Sequence, residues 1–140
     1  MQKLVIDTNI LVSALISRSY PARIVDDVLL EKKAVLVLSE AIWQEYVEVL
    51  NRAKFARFSD FKKNAEILLL RLDELAEKVA PTEKLTLIKD SDDNKFLEVA
   101  VAAQAHYLIT GNSNDFTFNR IRSTQIVSPK EYWENYVTEQ

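Results

Sequence analysis

The sequence predicts an α/β fold in which a mostly parallel sheet carries helices on both faces. Short, wholly apolar runs recur along the 140-residue chain, as is typical of strands that are buried on both faces. Longer segments with apolar residues at helical spacing separate these runs, and this alternation favours βαβ units. No internal repeat, low-complexity segment or linker interrupts the pattern, so we expect residues 1–140 to form a single domain.

The N-terminal segment is predicted to form a strand followed by two helices. The apolar run Leu4–Ile6 ends in the polar cluster Asp7-Thr8-Asn9. Thr8 and Asn9 are suited to cap a helix over about Ile10–Ser17. Pro21 fits the first turn of the next helix, which we expect to reach about residue 32.

The central segment is predicted to contain a second strand and two further helices. Val35–Leu38 is another buried-strand run, and Ser39 then caps a helix that carries Glu45. A long helix is expected over about residues 60–77, and Pro81 marks the exit from it.

The C-terminal segment completes the alternation. The acidic run Asp90–Asp93 opens an alanine-rich helix, and the third strand, Tyr107–Thr110, is followed by Gly111 at a predicted turn. The fourth strand is predicted at Gln125–Val127. Ser128-Pro129-Lys130-Glu131 then forms a capping box that starts a final helix.

Composition excludes several classes of chemistry. There are no cysteines, one histidine (His106) and one glycine (Gly111). Thiolate metal sites, multi-histidine sites and glycine-rich phosphate loops are therefore excluded. The net charge of -3 disfavours unaided, phosphate-driven binding of nucleic acid. Since we find neither a signal peptide nor an apolar stretch of membrane length, we expect a cytoplasmic protein with no membrane partner.

Acidic residues supply the remaining candidate chemistry. Asp7 directly follows the first strand, Glu45 lies in the helix after the second strand, and Asp92 and Asp93 precede the helix that leads to the third strand. Ligands of open parallel sheets bind at the carboxyl ends of the strands. Mg²⁺ and Mn²⁺ prefer oxygen ligands and could hold such carboxylates together. Taken singly, each residue is better explained as a turn, a helix cap or a solvated surface charge. Taken together, with other chemistries excluded by composition, the acidic residues favour a metal site.

A basic segment at residues 52–63 is the second candidate site. It contains five basic residues against the single acid Asp60, a net charge of +4, with three phenylalanines interleaved at a spacing of three. Arg52, Lys54 and Arg57 could contact RNA phosphates while the aromatic rings stack on bases. The preferred interpretation is a helix–helix elbow with buried phenylalanines and solvated bases, and a protein interface is a third alternative.

Four motifs together resemble the PIN domain, in the toxin-like branch related to VapC. They are, in order along the chain, Leu4-Val5-Ile6-Asp7-Thr8-Asn9, Leu38-Ser39 through Glu45-Tyr46 to Leu50, Asp90-Ser91-Asp92-Asp93-Asn94-Lys95-Phe96-Leu97-Glu98, and Tyr107-Leu108-Ile109-Thr110-Gly111-Asn112 with Asp115-Phe116. The resemblance implies a three-layer α/β/α sandwich with a short, mostly parallel central sheet. It also implies a metal-dependent endoribonuclease that is the toxin of a toxin–antitoxin pair.

The resemblance also implies a set of site residues and partners. Asp7, Glu45 and Asp93 match three acids that would hold one or two Mg²⁺ or Mn²⁺ ions and act in catalysis. Asn112 stands where many PIN domains have a fourth acid, and Asp115 is a candidate substitute. The remaining supporting residues are Thr8 and Asn9, which would orient Asp7, and Asp92. The implied partners are an RNA substrate, an antitoxin protein and a second copy of the chain in a homodimer.

Two alternatives to the nuclease stay open from the sequence. Asn112 is consistent with a degenerate PIN module that binds RNA or a protein without cleavage. An aspartate after the first strand also resembles the nucleophile of haloacid-dehalogenase-like phosphatases, but these enzymes have a second aspartate where this chain has Asn9.

Overall fold

The computed structural model describes residues 1–86, 93–111 and 118–137. In these ranges six strands form one sheet in the order β3-β2-β1-β4-β6-β5, in which only the β5–β6 pair is antiparallel. The strands are β1 (Lys3–Ile6), β2 (Val35–Leu38), β3 (Glu77–Lys78), β4 (Tyr107–Ile109), β5 (Arg120–Ile121) and β6 (Thr124–Val127).

Helices flank the sheet and give the three-layer α/β/α sandwich that the sequence predicts. Six α-helices are described: α1 (Thr8–Ile16), α2 (Tyr20–Arg23), α3 (Glu40–Leu50), α4 (Phe61–Leu75), α5 (Asn94–Ala103) and α6 (Pro129–Glu131). Two π-helical segments, Ile24–Leu29 and Tyr132–Tyr136, continue α2 and α6, and a 3₁₀ helix, Ala53–Arg57, follows α3. None of the helices in the described ranges has the length and apolar content needed to cross a membrane.

The four predicted strands are present, and the structure adds two that the sequence pattern does not indicate. Both β3 and β5 are only two residues long, and each contains exposed, charged residues. Such short edge strands are set by their neighbours in the sheet, because they carry too few apolar residues to form a pattern of their own.

The predicted helix boundaries differ from the observed ones at several ends. Helix α1 begins at Thr8, so Asp7 occupies the N-cap position in place of Thr8 or Asn9, although its side chain makes no capping hydrogen bond. The helix predicted to reach residue 32 ends at Leu29, and α4 ends at Leu75, two residues before the predicted end. The capping box at Ser128 and Glu131 is present as predicted.

The chain makes its left-handed turns without glycine. Lys32, Asp60, Gln104 and Arg122 have positive φ angles of 49° to 60°, whereas Gly111 does not have a positive φ. Gly111 lies at a bend directly after β4, where the turn was predicted, but this bend does not use left-handed backbone. An L-residue in this conformation costs about 1–2 kcal/mol, so packing elsewhere must stabilise these four turns.

The sheet register brings the ends of the central strands to one edge. Ile6 at the end of β1 pairs with Ile109 at the end of β4, and Ile109 pairs with Val127 of β6. The strand interiors are almost fully buried within a core that extends to the helices on either side. The first polar residues after β1 and β4, Asp7 and Thr110, therefore lie side by side.

Candidate functional site

Asp7 lies at the carboxyl end of the central strand β1, where the sheet and α1 meet. Its backbone N–H donates to Ile109 O at 3.0 Å, and its own carbonyl accepts from Ile10 N at 3.0 Å. The residue is only 8% exposed. Strand pairing on one side and the first turn of α1 on the other therefore fix the position of a buried carboxylate.

The environment of Asp7 opposes its ionisation. Burial raises the pKa of the Asp7 carboxyl above its ordinary value, and the negative charge of Glu45 raises it further. The Thr110 hydroxyl donates to Asp7 Oδ2 at 2.9 Å and lowers the pKa, as do the backbone N–H groups of Asn9 and Thr8. Since burial outweighs these hydrogen bonds, the net shift is upward and the ionised form is less favoured than in water.

Glu45 joins three helices through its two carboxylate oxygens. The Thr8 hydroxyl, in the first turn of α1, donates to Oε2. Lys95 Nζ, in the first turn of α5, lies 2.5 Å from Oε1. The hydroxyl that was expected to orient Asp7 therefore orients Glu45 in the structure, while Thr110 donates to Asp7.

Tyr46 supports the site from the core of the protein. Its side chain is fully buried, and its hydroxyl donates to Ile6 O at 2.5 Å, the carbonyl directly before Asp7. Burial raises the pKa of Tyr46 well above its ordinary value, with Asp7 and Glu45 adding to the effect, so the hydroxyl stays protonated as a donor. Two neighbouring residues of α3 therefore have different roles. Tyr46 holds the end of β1, and Glu45 presents its carboxylate to the site.

The other predicted site residues are at least partly exposed or lie outside the described ranges. Asp93 directly precedes α5, is partly exposed and makes no capping hydrogen bond through its side chain. Asn9 is exposed in the first turn of α1. Asp92, Asn112 and Asp115 lie outside the described residues.

A divalent cation fits the chemistry of the two assembled carboxylates. Within residues 1–86, 93–111 and 118–137, no three His, Cys, Asp or Glu side chains form a group that could hold a metal ion. Asp7 and Glu45 nevertheless offer oxygen atoms only, and Mg²⁺ is commonly bound by one or two carboxylates together with waters. A cation beside them would also offset the repulsion that raises the pKa of Asp7.

Sequence reasoning did not assign roles in the site to Lys95, Tyr46 and Thr110. Lys95 and Tyr46 lie within motifs that suggested the family. However, the sequence does not indicate which group a helical lysine, or a tyrosine on the apolar face of a helix, will contact. Thr110 was placed at the end of the third predicted strand, and this position indicates the correct edge of the sheet. Its hydrogen bond to Asp7, across 103 residues, follows only from the strand register.

The basic segment is the predicted elbow between α3 and α4. Phe61 is buried, and its ring stacks on that of Phe55 with centroids 4.9 Å apart. Lys54 lies 5.2 Å from the ring centroid of Phe55, and Arg57 lies 4.9 Å from that of Phe58. Both bases are exposed, so the segment combines an apolar interior with a positively charged, aromatic outer surface.

Comparisons with known proteins agree with this architecture. Residues 3–114 match the PIN_3 family, described as a PIN domain. The chain is 27% identical, over 96% of its length and 91% of the relative, to the uncharacterized protein MJ1680 of Methanocaldococcus jannaschii.

A solved structure shows the same fold. A chain in the crystal structure of VapBC2 from Rickettsia felis, bound to a promoter DNA fragment, matches with a TM-score of 0.57 and 19% identity. The match covers 91% of this chain and 98% of that one. The resemblance of the four sequence motifs to a PIN domain is therefore confirmed, and this chain belongs to the PIN domain family.

Proposed function

We propose that this protein is a Mg²⁺- or Mn²⁺-dependent endoribonuclease and the toxin component of a toxin–antitoxin pair. The observation that carries the proposal is the Asp7–Glu45 pair, in which a buried carboxylate lies within electrostatic range of a second one. In a PIN domain, an acid pair at the carboxyl end of the central strand is suited to hydrolytic metal chemistry.

Some residues of the site would bind the cation, and others would orient those ligands. Asp7 and Glu45 would hold the cation. Asp93, directly before α5, is the proposed third acid, although the described residues do not group it with the other two. Thr110 orients Asp7, and Thr8 orients Glu45. When bound, such a cation polarises a phosphoryl oxygen and lowers the pKa of a coordinated water.

The basic segment would bind the RNA substrate. Arg52 lies two residues beyond the end of α3, the helix that carries Glu45, so the segment begins roughly 10 Å from Glu45 along the helix axis. Lys54 and Arg57 would contact phosphates, and the partly buried Phe55 and Phe58 rings would offer stacking surfaces. Positive charge here offsets the repulsion that the acidic site exerts on RNA.

Two protein partners belong to the proposal. The solved relative occurs in a VapBC2 complex, which supports an antitoxin chain as a partner of this one. A homodimer is the second assembly that the family resemblance implies, and light scattering on the purified chain would establish its oligomeric state.

An RNA cleavage assay tests the proposed activity. Single-stranded RNA should be cut with Mn²⁺ or Mg²⁺ and left intact in EDTA. The variant Glu45→Gln keeps the size of the side chain but removes its charge, so it should lose cleavage. If Glu45→Gln cleaved RNA as fast as the unmodified protein, the activity would come from a contaminant or from another site.

A PIN module that binds RNA without cutting it is the second candidate. Lys95 already occupies one oxygen of Glu45, and Asn112 replaces an acid of the family pattern. In the same assay this candidate predicts RNA binding that is unchanged by EDTA, with no cleavage under either metal.

A further inference from the structure

We propose that Lys95 is a positioning residue of the acidic site, because its ammonium group acts as the counter-ion of Glu45 and competes with the divalent cation. The inference rests on the proposed function, since it requires that Asp7 and Glu45 hold a cation. It assigns to a third helix, α5, control over how tightly that cation binds.

The Lys95–Glu45 pair differs from the other described ion pairs in its burial. The side chains of Lys95 and Glu45 are 21% and 24% exposed. In each of the other four pairs both side chains are at least 37% exposed. An exposed pair is screened by water and salt, whereas partial burial strengthens the attraction between the two charges.

The contacts of Glu45 explain why a lysine here affects metal binding. The Thr8 hydroxyl donates to Oε2, and Lys95 Nζ lies on Oε1, so both oxygens already have donors. A divalent cation that approaches Glu45 must displace the ammonium group or accept its repulsion. Lys95 also offsets one of the two negative charges of Asp7 and Glu45, which reduces their attraction for any added cation.

Lys95 is held near the site by its own helix. It is the second residue of α5, and it also lies 5.9 Å from the ring centroid of Phe96, which is buried in the core. Helix α5 packs on β1 and β2 and contacts α3. The packing of α5 therefore keeps the Lys95 ammonium group beside Glu45. The ring of Phe96 offers a second position for this ammonium group when a metal binds.

Mn²⁺ binding to variants that carry an uncharged side chain at position 95 tests the inference. Lys95→Met should bind Mn²⁺ with about a tenfold lower Kd in calorimetry, equivalent to about 1.4 kcal/mol. In EDTA its melting temperature should fall below that of the unmodified protein. Lys78→Met is the matched control, because Lys78 lies 2.5 Å from Asp73 in an exposed pair, and it should change neither quantity measurably.

Lys95→Gln provides a second variant in case the methionine disturbs folding, since glutamine can still donate to Glu45 without a charge. It should also tighten Mn²⁺ binding. Unchanged or weaker binding in the folded Lys95 variants, with binding intact in the unmodified protein, would overturn the inference alone. Absence of Mn²⁺ binding in every variant and in the unmodified protein would overturn the proposed function and the inference with it.

Discussion

The acidic site and the basic segment both carry charged residues, but the fold treats those charges differently. Asp7 is buried, and Glu45 and Lys95 are mostly so, each held by a partner from another element. In the basic segment, Lys54 and Arg57 are exposed and lie against the aromatic rings that follow them in the chain.

The difference in burial suits the two regions to different tasks: the acidic site to metal binding or catalysis, and the basic segment to attracting RNA. A buried carboxylate has a perturbed pKa and a fixed position, which are properties that a catalytic or metal-binding group needs. Exposed basic side chains can move and reach phosphates, which suits contact with a flexible, charged polymer. We therefore expect mutations in the acidic site to affect rate and stability, and mutations in the basic segment to affect RNA affinity.

The largest expected effect is the loss of cleavage in Asp7→Asn, by at least about a thousandfold, the scale seen when a central catalytic group is removed. Asp26→Asn is the matched control, since desolvation and the charge of Asp27 also raise the pKa of the Asp26 carboxyl, but this residue is exposed and lies in the π-helical segment after α2. Rates measured with Mn²⁺ should be unchanged in that control. An equal loss of cleavage in both variants would contradict a specific catalytic role for Asp7.

Removing the hydroxyl of Tyr46 should have the next largest effect. Tyr46→Phe leaves Ile6 O without its buried donor and should lower the free energy of unfolding by about 1–2 kcal/mol. Tyr20→Phe is the control, because the Tyr20 hydroxyl makes only an exposed 3.4 Å contact with Glu134. Urea denaturation that gave equal stabilities for Tyr46→Phe and the unmodified protein would contradict the support role of Tyr46.

Neutralising Lys54 and Arg57 together with glutamine should weaken RNA binding in EDTA by about three- to tenfold. The slope of log K against log salt should fall by about 0.7 for each phosphate that the protein no longer neutralises. The control is the double variant Lys32→Gln/Lys130→Gln, which makes the same change in net charge at two exposed positions outside the segment. Equal weakening by both pairs would mean that net charge, and not the basic segment, determines affinity.

A smaller effect is expected in the pH dependence of stability without metal. Because the pKa of Asp7 is raised above its ordinary value of 3.8 in the folded state, the folded protein holds this proton more tightly than the unfolded chain. The contribution of Asp7 to stability should therefore fall as pH rises from that value through the raised pKa, and stay level above it.

Denaturation in EDTA at about pH 4 and about pH 7 measures this contribution. Between the two values, Asp7→Asn should gain stability relative to the unmodified protein. A constant difference between the two proteins would show that Asp7 ionises normally.

The smallest effect is expected for the exposed ion pair at the start of the basic segment. Arg52 donates to both oxygens of Glu48, at 3.1 and 2.9 Å, from an exposed position. Such pairs are screened by solvent, so Arg52→Met should melt at the same temperature as the unmodified protein. A clear fall in melting temperature would show that exposed pairs in this segment stabilise the fold as much as the Lys95–Glu45 pair does.

The amino-acid sequence alone is enough to establish the α/β fold, its four apolar strands and the family. Apolar runs such as Val35–Leu38 are recognisable as strands because the apolar pattern that predicts their burial is a local property of the sequence. The absence of cysteine and the single histidine left oxygen ligands as the available metal chemistry. The position of Asp7 after the first strand indicated the correct edge of the sheet.

Which polar groups meet depends on the folded arrangement of the chain. The Thr8 hydroxyl contacts Glu45 across 37 residues, and the Thr110 hydroxyl contacts Asp7 across 103. The pairing of Lys95 with Glu45 depends on the packing of α5 beside α3. These partnerships follow from strand register and helix packing, whose free energy is summed over the whole core, so no local pattern of residues encodes them.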